Sequence, residues 1–335
     1  MVEERNITIQ DIAQTANVSK STVSRVLNNT TPVDEKKRRA VLEAVKALDF
    51  QPNVHARGLA GGKTMTIGVQ TPEIGSFFYD LVIKGIIQAF TGTKYSPIFV
   101  TGLYNRENER KTIETLLRRQ VDGLIIVGGE LTAPDIDEIR ARKPILVVGR
   151  QIVEMESECI FIDNYEAGYR ATKFLIDQGH RHIVHISGIK HQQDAIRRLN
   201  GYKQALADSG IEYDEDLHFE GMFDGDSGKA AIELILKKKK KFTAVFAAND
   251  RMAFGARLAL YRHKIQVPDD VSIIGFDDQV ECAYSIPPLT SVRQPSFEMG
   301  KAAANAMLKL LCKEKFSLPT LPAEIMVRES TRRID

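Results

Sequence analysis

Cysteine is scarce in this chain. Cys159, Cys282 and Cys312 are odd in number, far apart and without a CxxC pair, so neither a disulfide framework nor a thiolate zinc site is indicated. Long apolar runs are also missing. The leading MVEERNITIQ is charged where a secretory signal needs an apolar stretch, and nothing approaches the roughly 18 uncharged apolar residues of a membrane span. A cytoplasmic protein with no membrane partner is therefore expected. Net charge is nearly absent, with 46 Lys+Arg against 44 Asp+Glu, which disfavours a nonspecific, chromatin-like DNA binder. The common catalytic signatures are lacking as well: no GxGxxG follows a strand-like run, and the phosphate-loop, HExxH and GxSxG patterns do not occur. Neither an enzyme nor a bound cofactor is expected.

What is present is an ordinary globular composition, 43% apolar and 27% charged, which excludes a collagenous, coiled-coil or largely disordered chain. Its 335 residues exceed the usual size of one hydrophobic core and suggest two or three domains. From about Met65 onward, near-continuous apolar runs (TMTIGVQTP, PIFVTGL, GLIIVGGE, PILVVGR, CIFID, HIVHISG, TAVFAAND, VSIIGFDD) alternate with helical patterns such as 76–91, 106–119, 164–178, 193–209, 226–238 and 250–263. Strands buried on both faces that alternate with helices define a doubly wound parallel α/β architecture. Several of the runs end in Gly, Asp or Asn, placing polar groups where open sheets of this kind bind ligands.

The first sixty residues differ in kind. They contain no strand-like run, and their 10 Lys+Arg against 7 Asp+Glu up to Lys63 carry the chain's positive excess. Two short helices, Asp11 to Ala16 and Ser21 to Leu27, flank Asn17-Val18-Ser19, with Ser19 suited to cap the second. A third helix is expected from about Asp34 to Leu48, and a fourth from about Asn53 to Ala60, ending at the linker-like Gly61-Gly62. Ile9, Ile12, Ala13 and Ala16 form one apolar stripe, and Val23, Val26 and Leu27 the next. Lys20, Ser21, Thr22 and Arg25 are left facing outward, short polar and cationic groups that suit base edges and phosphates. The pattern reads as a helix-turn-helix, with a plain three-helix bundle as the bland alternative.

Taken together in this order, VSKSTVSRVLNN, FQPNVHARGLAGGKTMTIGV and the α/β body resemble the lactose/galactose repressor family of bacterial transcription regulators. The resemblance implies a helix-turn-helix domain over 1–51, a hinge helix and linker over 52–63, and a two-lobed body like the periplasmic binding proteins over 64–335. Its lobes would comprise 64–165 with 294–322, and 166–293 with 323–335. It further implies that Lys20, Ser21 and Arg25 read bases in the major groove, while Ser19, Thr22 and Asn28 sit nearer phosphates. In the hinge, Leu59 would be the minor-groove wedge, Ala56 would let two hinge helices approach, and His55 and Arg57 would touch groove or backbone. Gly58 lowers the helix propensity of that segment by up to about 1 kcal/mol relative to Ala.

For the cleft between the lobes, the resemblance points to Arg198 in RRLNGY, Asn249 in AAND, Asp277 in GFDD and Phe223 in GMFDGDSG. Phe77, Phe78, Arg150, Asp163, Asp194 and Gln294 join them as lesser positions. Arginine forks, a carboxylate and an aromatic face suit a sugar or sugar phosphate. Each also has a structural reading: Asp277 as a helix cap, Asn249 as a turn residue, Phe223 as core. Gln192 stands where purine-binding relatives carry an Arg, which disfavours a purine. KAAANAMLKLLCKE lacks the Arg with which carbon-catabolite regulators dock a protein corepressor. The expected protein is a homodimeric repressor on a near-palindromic double-stranded DNA operator, with no heptad tail for a larger assembly. The competing expectation is a metabolite receptor with no role in transcription. His180, His182 and His185 do not suggest a metal site, since strand geometry would send His182 and His185 to opposite faces. The run Lys237 to Lys241 reads as a solvated helix end.

Overall fold

The computed structural model describes residues 7–28, 31–50 and 63–335. The chain divides into two units, Met1–Thr64 and Met65–Asp335.

In the first unit, helices α1 (Ile9–Thr15), α2 (Lys20–Asn28) and α3 (Glu35–Ala47) surround a small core. Each begins where side chains satisfy its free N–H groups. Thr8 and Asp11 form a capping box, with the Thr8 N–H donating to Asp11 Oδ2 at 2.8 Å. The Thr22 N–H donates to Ser19 Oγ at 3.2 Å, and Asp34 Oδ1 accepts from the N–H groups of Lys36 and Lys37. Asn17, at φ 50°, turns the chain between α1 and α2, so that Val18 N–H closes on Ala13 O at 2.9 Å. Ile12, Ala13, Val23, Val41 and Ala44 are buried together, with Val26, Leu27 and Leu48 packed around them. Burying one face of α2 fixes which face is left outside: Ser19, Lys20, Ser21 and Arg25 are exposed and Thr22 is half-buried.

The second unit holds two sheets. The first, ordered β2-β1-β3-β4-β5, is built of parallel strands: β1 (Thr66–Thr71), β2 (Ser96–Thr101), β3 (Gly123–Val127), β4 (Ile145–Val148) and β5 (Cys159–Ile160). The second, ordered β11-β10-β9-β8-β6-β7, comprises β6 (Ile183–Ser187), β7 (His218–Glu220), β8 (Ala244–Ala247), β9 (Ser272–Asp277), β10 (Thr290–Arg293) and an antiparallel edge strand β11 (Glu324–Met326). Every residue of β3, β4, β6 and β8 is buried, as strands covered on both faces must be.

Helices α4 (Phe77–Phe90), α5 (Arg106–Arg118) and α6 (Ala133–Arg140) serve the first sheet. Helices α7 (Asn164–Asp177), α8 (Gln193–Asp208), α9 (Gly225–Lys237), α10 (Asp250–Arg262) and the short α11 (Val280–Tyr284) serve the second. Helix α12 (Ser296–Leu311) returns to the first sheet and packs on α4 so closely that a Cβ at Gly85 would lie 2.1 Å from Phe297 O. The chain thus crosses between lobes at 161–163, 294–295 and 312–323. Among the described residues no helix is long and apolar enough to cross a membrane.

Candidate functional site

The carboxyl ends of strands in the first sheet face the start of α7 and the segment after β6 across a cavity of about 490 Å³. The first lobe supplies Gly128, Gly129 and Glu130 after β3, Gly149, Arg150 and Gln151 after β4, and the rings of Tyr79, Tyr104 and Phe161. Asn164 at the start of α7 faces them, with His191 to Asp194 and Arg197 around the start of α8. A volume of this size suits a small polar ligand.

Its walls are braced from behind. Gly128 and Gly129 sit at φ +59° and +85°, and Glu109 lies against this turn, where any Cβ on Gly129 would meet its carboxylate at 2.8 Å. Glu109 Oε2 accepts from the N–H groups of Glu130 (2.8 Å) and Leu131 (3.0 Å), and burial pushes its carboxyl pKa up. On the other side, Arg150 Nη1 donates to Gly129 O at 3.1 Å. Arg150 Nε and Nη2 are buried with no hydrogen-bond partner among the described residues, and burial lowers the guanidinium pKa. A buried donor without a partner is costly, so this fork favours any ligand or water that supplies acceptors. Burial also raises the pKa of Asp194, despite the opposing charges of Arg198 and Arg150, and pushes that of Tyr104 up to about 12.

Of the ten residues expected in the cleft, Arg150 and Asp194 line this cavity. Phe78 lies directly beneath it, its ring 3.2 Å from where a Cβ on Gly149 would stand. Phe77, Asp277 and Gln294 border a separate recess of about 380 Å³, where Gln294 Nε2 donates to Asp277 Oδ1 at 2.7 Å. Asp163 borders a third, of about 620 Å³ at the lobe crossings; it caps α7 and pairs with Arg197 at 3.3 Å.

Arg198, Asn249 and Phe223 are engaged inside the second lobe. Arg198 is buried, donating from Nε to Asn164 Oδ1 (2.8 Å) and from Nη1 to Ala248 O (2.6 Å), with its Cζ 3.6 Å from the Phe276 ring centroid. Through Asn164 Nδ2, which donates to Asp194 Oδ1 at 3.1 Å, it braces the cavity wall from one layer away. Asn249 caps α10 and ties down the Phe223 carbonyl at 2.9 Å, while the Phe223 ring closes over Gly188.

Sequence reasoning passed over Tyr79, Tyr104, Gln151, His191, Arg197 and Glu109. Tyr79 and Arg197 adjoin the expected Phe78 and Arg198, so a one-residue step along a helix would have found them. Glu109 sits in the highly charged RENERK stretch and reads there as solvated surface.

Of the histidines in GHRHIVHIS, His180 bonds to Thr243 Oγ1 and Arg332 O, and His185 bonds to Phe246 O within the sheet. Among the described residues no group of three His, Cys, Asp or Glu is placed to hold a metal. His55, Ala56, Arg57, Leu59 and the Asn28 side chain lie outside the described residues.

A compact helical unit with an exposed polar and cationic helix start, joined to a two-sheet body with a cavity at the strand ends, defines the class of ligand-responsive transcription regulators. Residues 8–53 match the family described as bacterial regulatory proteins, lacI family, and residues 172–331 match the periplasmic binding protein-like domain. Catabolite control protein A of Priestia megaterium is 36% identical over 332 residues, covering 98% of this chain and 100% of that protein. The regulator GalR of Escherichia coli is 35% identical over 304 residues, covering 90% of this chain and 89% of that one. Among solved structures, the lac repressor dimer bound to operator and the anti-inducer ONPF matches with a TM-score of 0.87 at 27% identity, over 98% of this chain and 100% of that one. The complex of the regulator CelR with cellobiose matches with a TM-score of 0.72 at 31% identity, over 97% and 99%. The chain belongs to the lacI family, whose members are transcription regulators and not enzymes.

Proposed function

We propose that the protein is a cytoplasmic, homodimeric repressor that holds a near-palindromic operator and changes its grip when a sugar or sugar phosphate enters the cavity between its lobes. One observation carries the effector reading: the cavity has both lobes for walls, with Arg150 on one side and Asp194 and Arg197 on the other, so a bound ligand favours one relative position of the lobes over another. Mixed donors and acceptors beside the Tyr79, Tyr104 and Phe161 rings suit a hydroxylated ring with an apolar face. CelR, similar over nearly the whole chain, has been solved with cellobiose.

For DNA, the exposed Lys20, Ser21 and Arg25 supply the donors of a major-groove reader, with Ser19, Thr22 and Asn28 nearer the phosphates. In the hinge sequence, His55, Ala56, Arg57 and Leu59 fit minor-groove contact, with Leu59 as the wedge. Self-association is supported by a cluster of bare apolar side chains around one recess, including Tyr261 (77% exposed), Ile286 (91% exposed) and Leu258. A two-fold dimer would present two reading heads to two half-sites.

The test selects duplexes from a random library with the full chain, then titrates the recovered operator against galactose, cellobiose and glucose 6-phosphate, with thermal shift in parallel. A palindromic consensus, and a sugar that both raises the melting temperature and changes operator affinity by about 5- to 150-fold, are expected. Binding that is equal for all sequences would remove the operator reading. A panel without any thermal or affinity response would remove the sugar class.

A further inference from the structure

Arg251 makes a contact across the lobes that the effector site does not require. It is the second residue of α10, and the start of that helix is firmly anchored. Asn249 caps it, and the buried Asp250 accepts from Ser291 Oγ at 2.6 Å and from the Gln279 N–H at 2.8 Å. From this base in the second lobe, Arg251 Nη2 donates to Gly75 O of the first lobe at 2.7 Å. Gly75 lies in the turn between β1 and α4 at φ +96°, with nothing within 4 Å of where a Cβ would stand. That turn is fixed on its own side by the Gly75 N–H, which donates to Asp80 Oδ1 at 3.0 Å. One guanidinium nitrogen thus joins two anchored turns from opposite lobes, and a charge-assisted bond of this length is among the stronger single contacts available.

The neighbouring wall carries local strain. Leu103 and Tyr104 follow β2 with φ of +54° and +51°, two successive left-handed residues without glycine. This step sets Tyr104 on the cavity, its ring centroid 6.2 Å from that of Tyr79, and the Arg251 charge acts on the Tyr104 hydroxyl. Strained residues persist where their surroundings hold them, and here the Leu103 N–H donates to Pro72 O at 2.8 Å, at the start of the turn that Arg251 contacts. A second bridge, Arg197 Nη1 to Gln151 Oε1, is longer at 3.3 Å, and Arg197 is shared with Asp163.

We infer that Arg251 is a closure latch: by holding the 72–76 turn against the start of α10, it sets how far the cleft is shut before any effector arrives. The inference concerns regulation of the proposed effector site and rests on that reading for its consequence. Its physical content is independent, because closure can be measured with neither sugar nor DNA. The acceptor is a main-chain carbonyl, so substitution within the first lobe leaves it in place, and control resides in Arg251 itself.

Nitroxides at Lys94→Cys and Lys241→Cys, in full-length chain with exposed Cys312 replaced by Ser, report the closure. Both positions precede a strand and so lie at the ends of the lobes opposite the cleft. In a spin-diluted sample without effector, Arg251→Ala is expected to lower the closed-to-open ratio roughly tenfold, the factor that loss of one charge-assisted hydrogen bond gives. Arg251→Lys, which keeps the charge and loses the fork, should fall between; Arg262→Ala, at the far end of the same helix, should match the parent. A distance distribution for Arg251→Ala that superimposes on the parent, or an equal shift in Arg262→Ala, overturns the latch.

Discussion

Arg198→Ala separates a brace from a ligand contact, and its cost follows from the contacts drawn above. The substitution removes two charge-assisted hydrogen bonds, to Asn164 and Ala248, each contributing about 1.5–3 kcal/mol. It also removes the guanidinium stacked on Phe276, which contributes about 2 kcal/mol when desolvated. Asp277 and Asp194, both with pKa raised by burial, lose the cation that opposes that rise. They can take up protons in its absence, which recovers part of the loss, so the net destabilisation should be about 3–5 kcal/mol, as for other broken buried pairs. In a body of this size the melting temperature should drop by roughly 10 °C. Calorimetry on the full chain measures it, and Arg198→Met, which keeps contact with Phe276 but none of the hydrogen bonds, should recover about 1–2 kcal/mol of the packing loss. Adding Asp277→Asn to Arg198→Met should cost less than the sum of the two changes, because the buried charge is no longer orphaned. Both single variants should remain dimeric and lose the effector response. A melt within about 2 °C of the parent would refute the brace and return Arg198 to the role of a solvated ligand contact.

Four further outcomes are expected. Burial lowers the His185 pKa to about 3, so between the ordinary value of 6.5 and 3 the unfolded chain binds a proton that the folded one refuses. Stability is then full above pH 6.5 and falls as the medium is acidified, by up to about 1.4 kcal/mol per pH unit for this ring. His185→Phe should flatten that fall in urea melts at pH 7 and 5, and an unaltered slope would contradict the assignment. Glu109→Gln, which leaves the Glu130 and Leu131 N–H groups with a weaker acceptor, should weaken binding of the responding sugar by about tenfold in calorimetric titration. Lys20→Ala or Ser21→Ala should change which operators are recovered from a random library; an equal loss of affinity across all sequences would restrict these residues to phosphate contact. Leu59→Ala should weaken operator binding with sugar binding intact, and an unchanged footprint would count against the wedge.

The alternation of apolar runs and helical patterns fixed the α/β reading, because strands such as Ala244–Ala247 are covered on both faces and have no polar side to confuse the period. Where tertiary pairing supplied the order, the pattern was silent. The three-residue strands His218–Glu220 and Glu324–Met326 each line a sheet edge and carry too few residues to show a period. CIFID reads as one strand, yet only Cys159 and Ile160 pair with β4; Phe161 to Asp163 leave the sheet as a lobe crossing. The site was less legible for a chemical reason. An Asp or Asn that caps a helix and one that binds a hydroxyl are the same residue at the same strand end, and Asp163 and Asn249 both prove to accept helix N–H groups. Tyr104 reaches the cavity only through the left-handed step at 103–104, which neither Leu nor Tyr announces.

The buried bonds also connect what the sequence presents as separate motifs. Asp194 on the cavity wall is held by Asn164, Asn164 by Arg198, and Arg198 by the Ala248 carbonyl. The next three residues are Asn249, which caps α10, Asp250, which anchors it, and Arg251, which reaches the other lobe. A ligand that draws on Asp194 therefore pulls on the same run of backbone from which the interlobe contact extends. Cavity and latch share one base, since the links between them are the part-buried Asn164–Asp194 bond, the two buried bonds of Arg198 and the short run of backbone from Ala248 to Arg251. A sugar bound at Asp194 and a fork released from Gly75 are then two ways of moving one element, which is the physical requirement for a small molecule to be felt outside its own pocket.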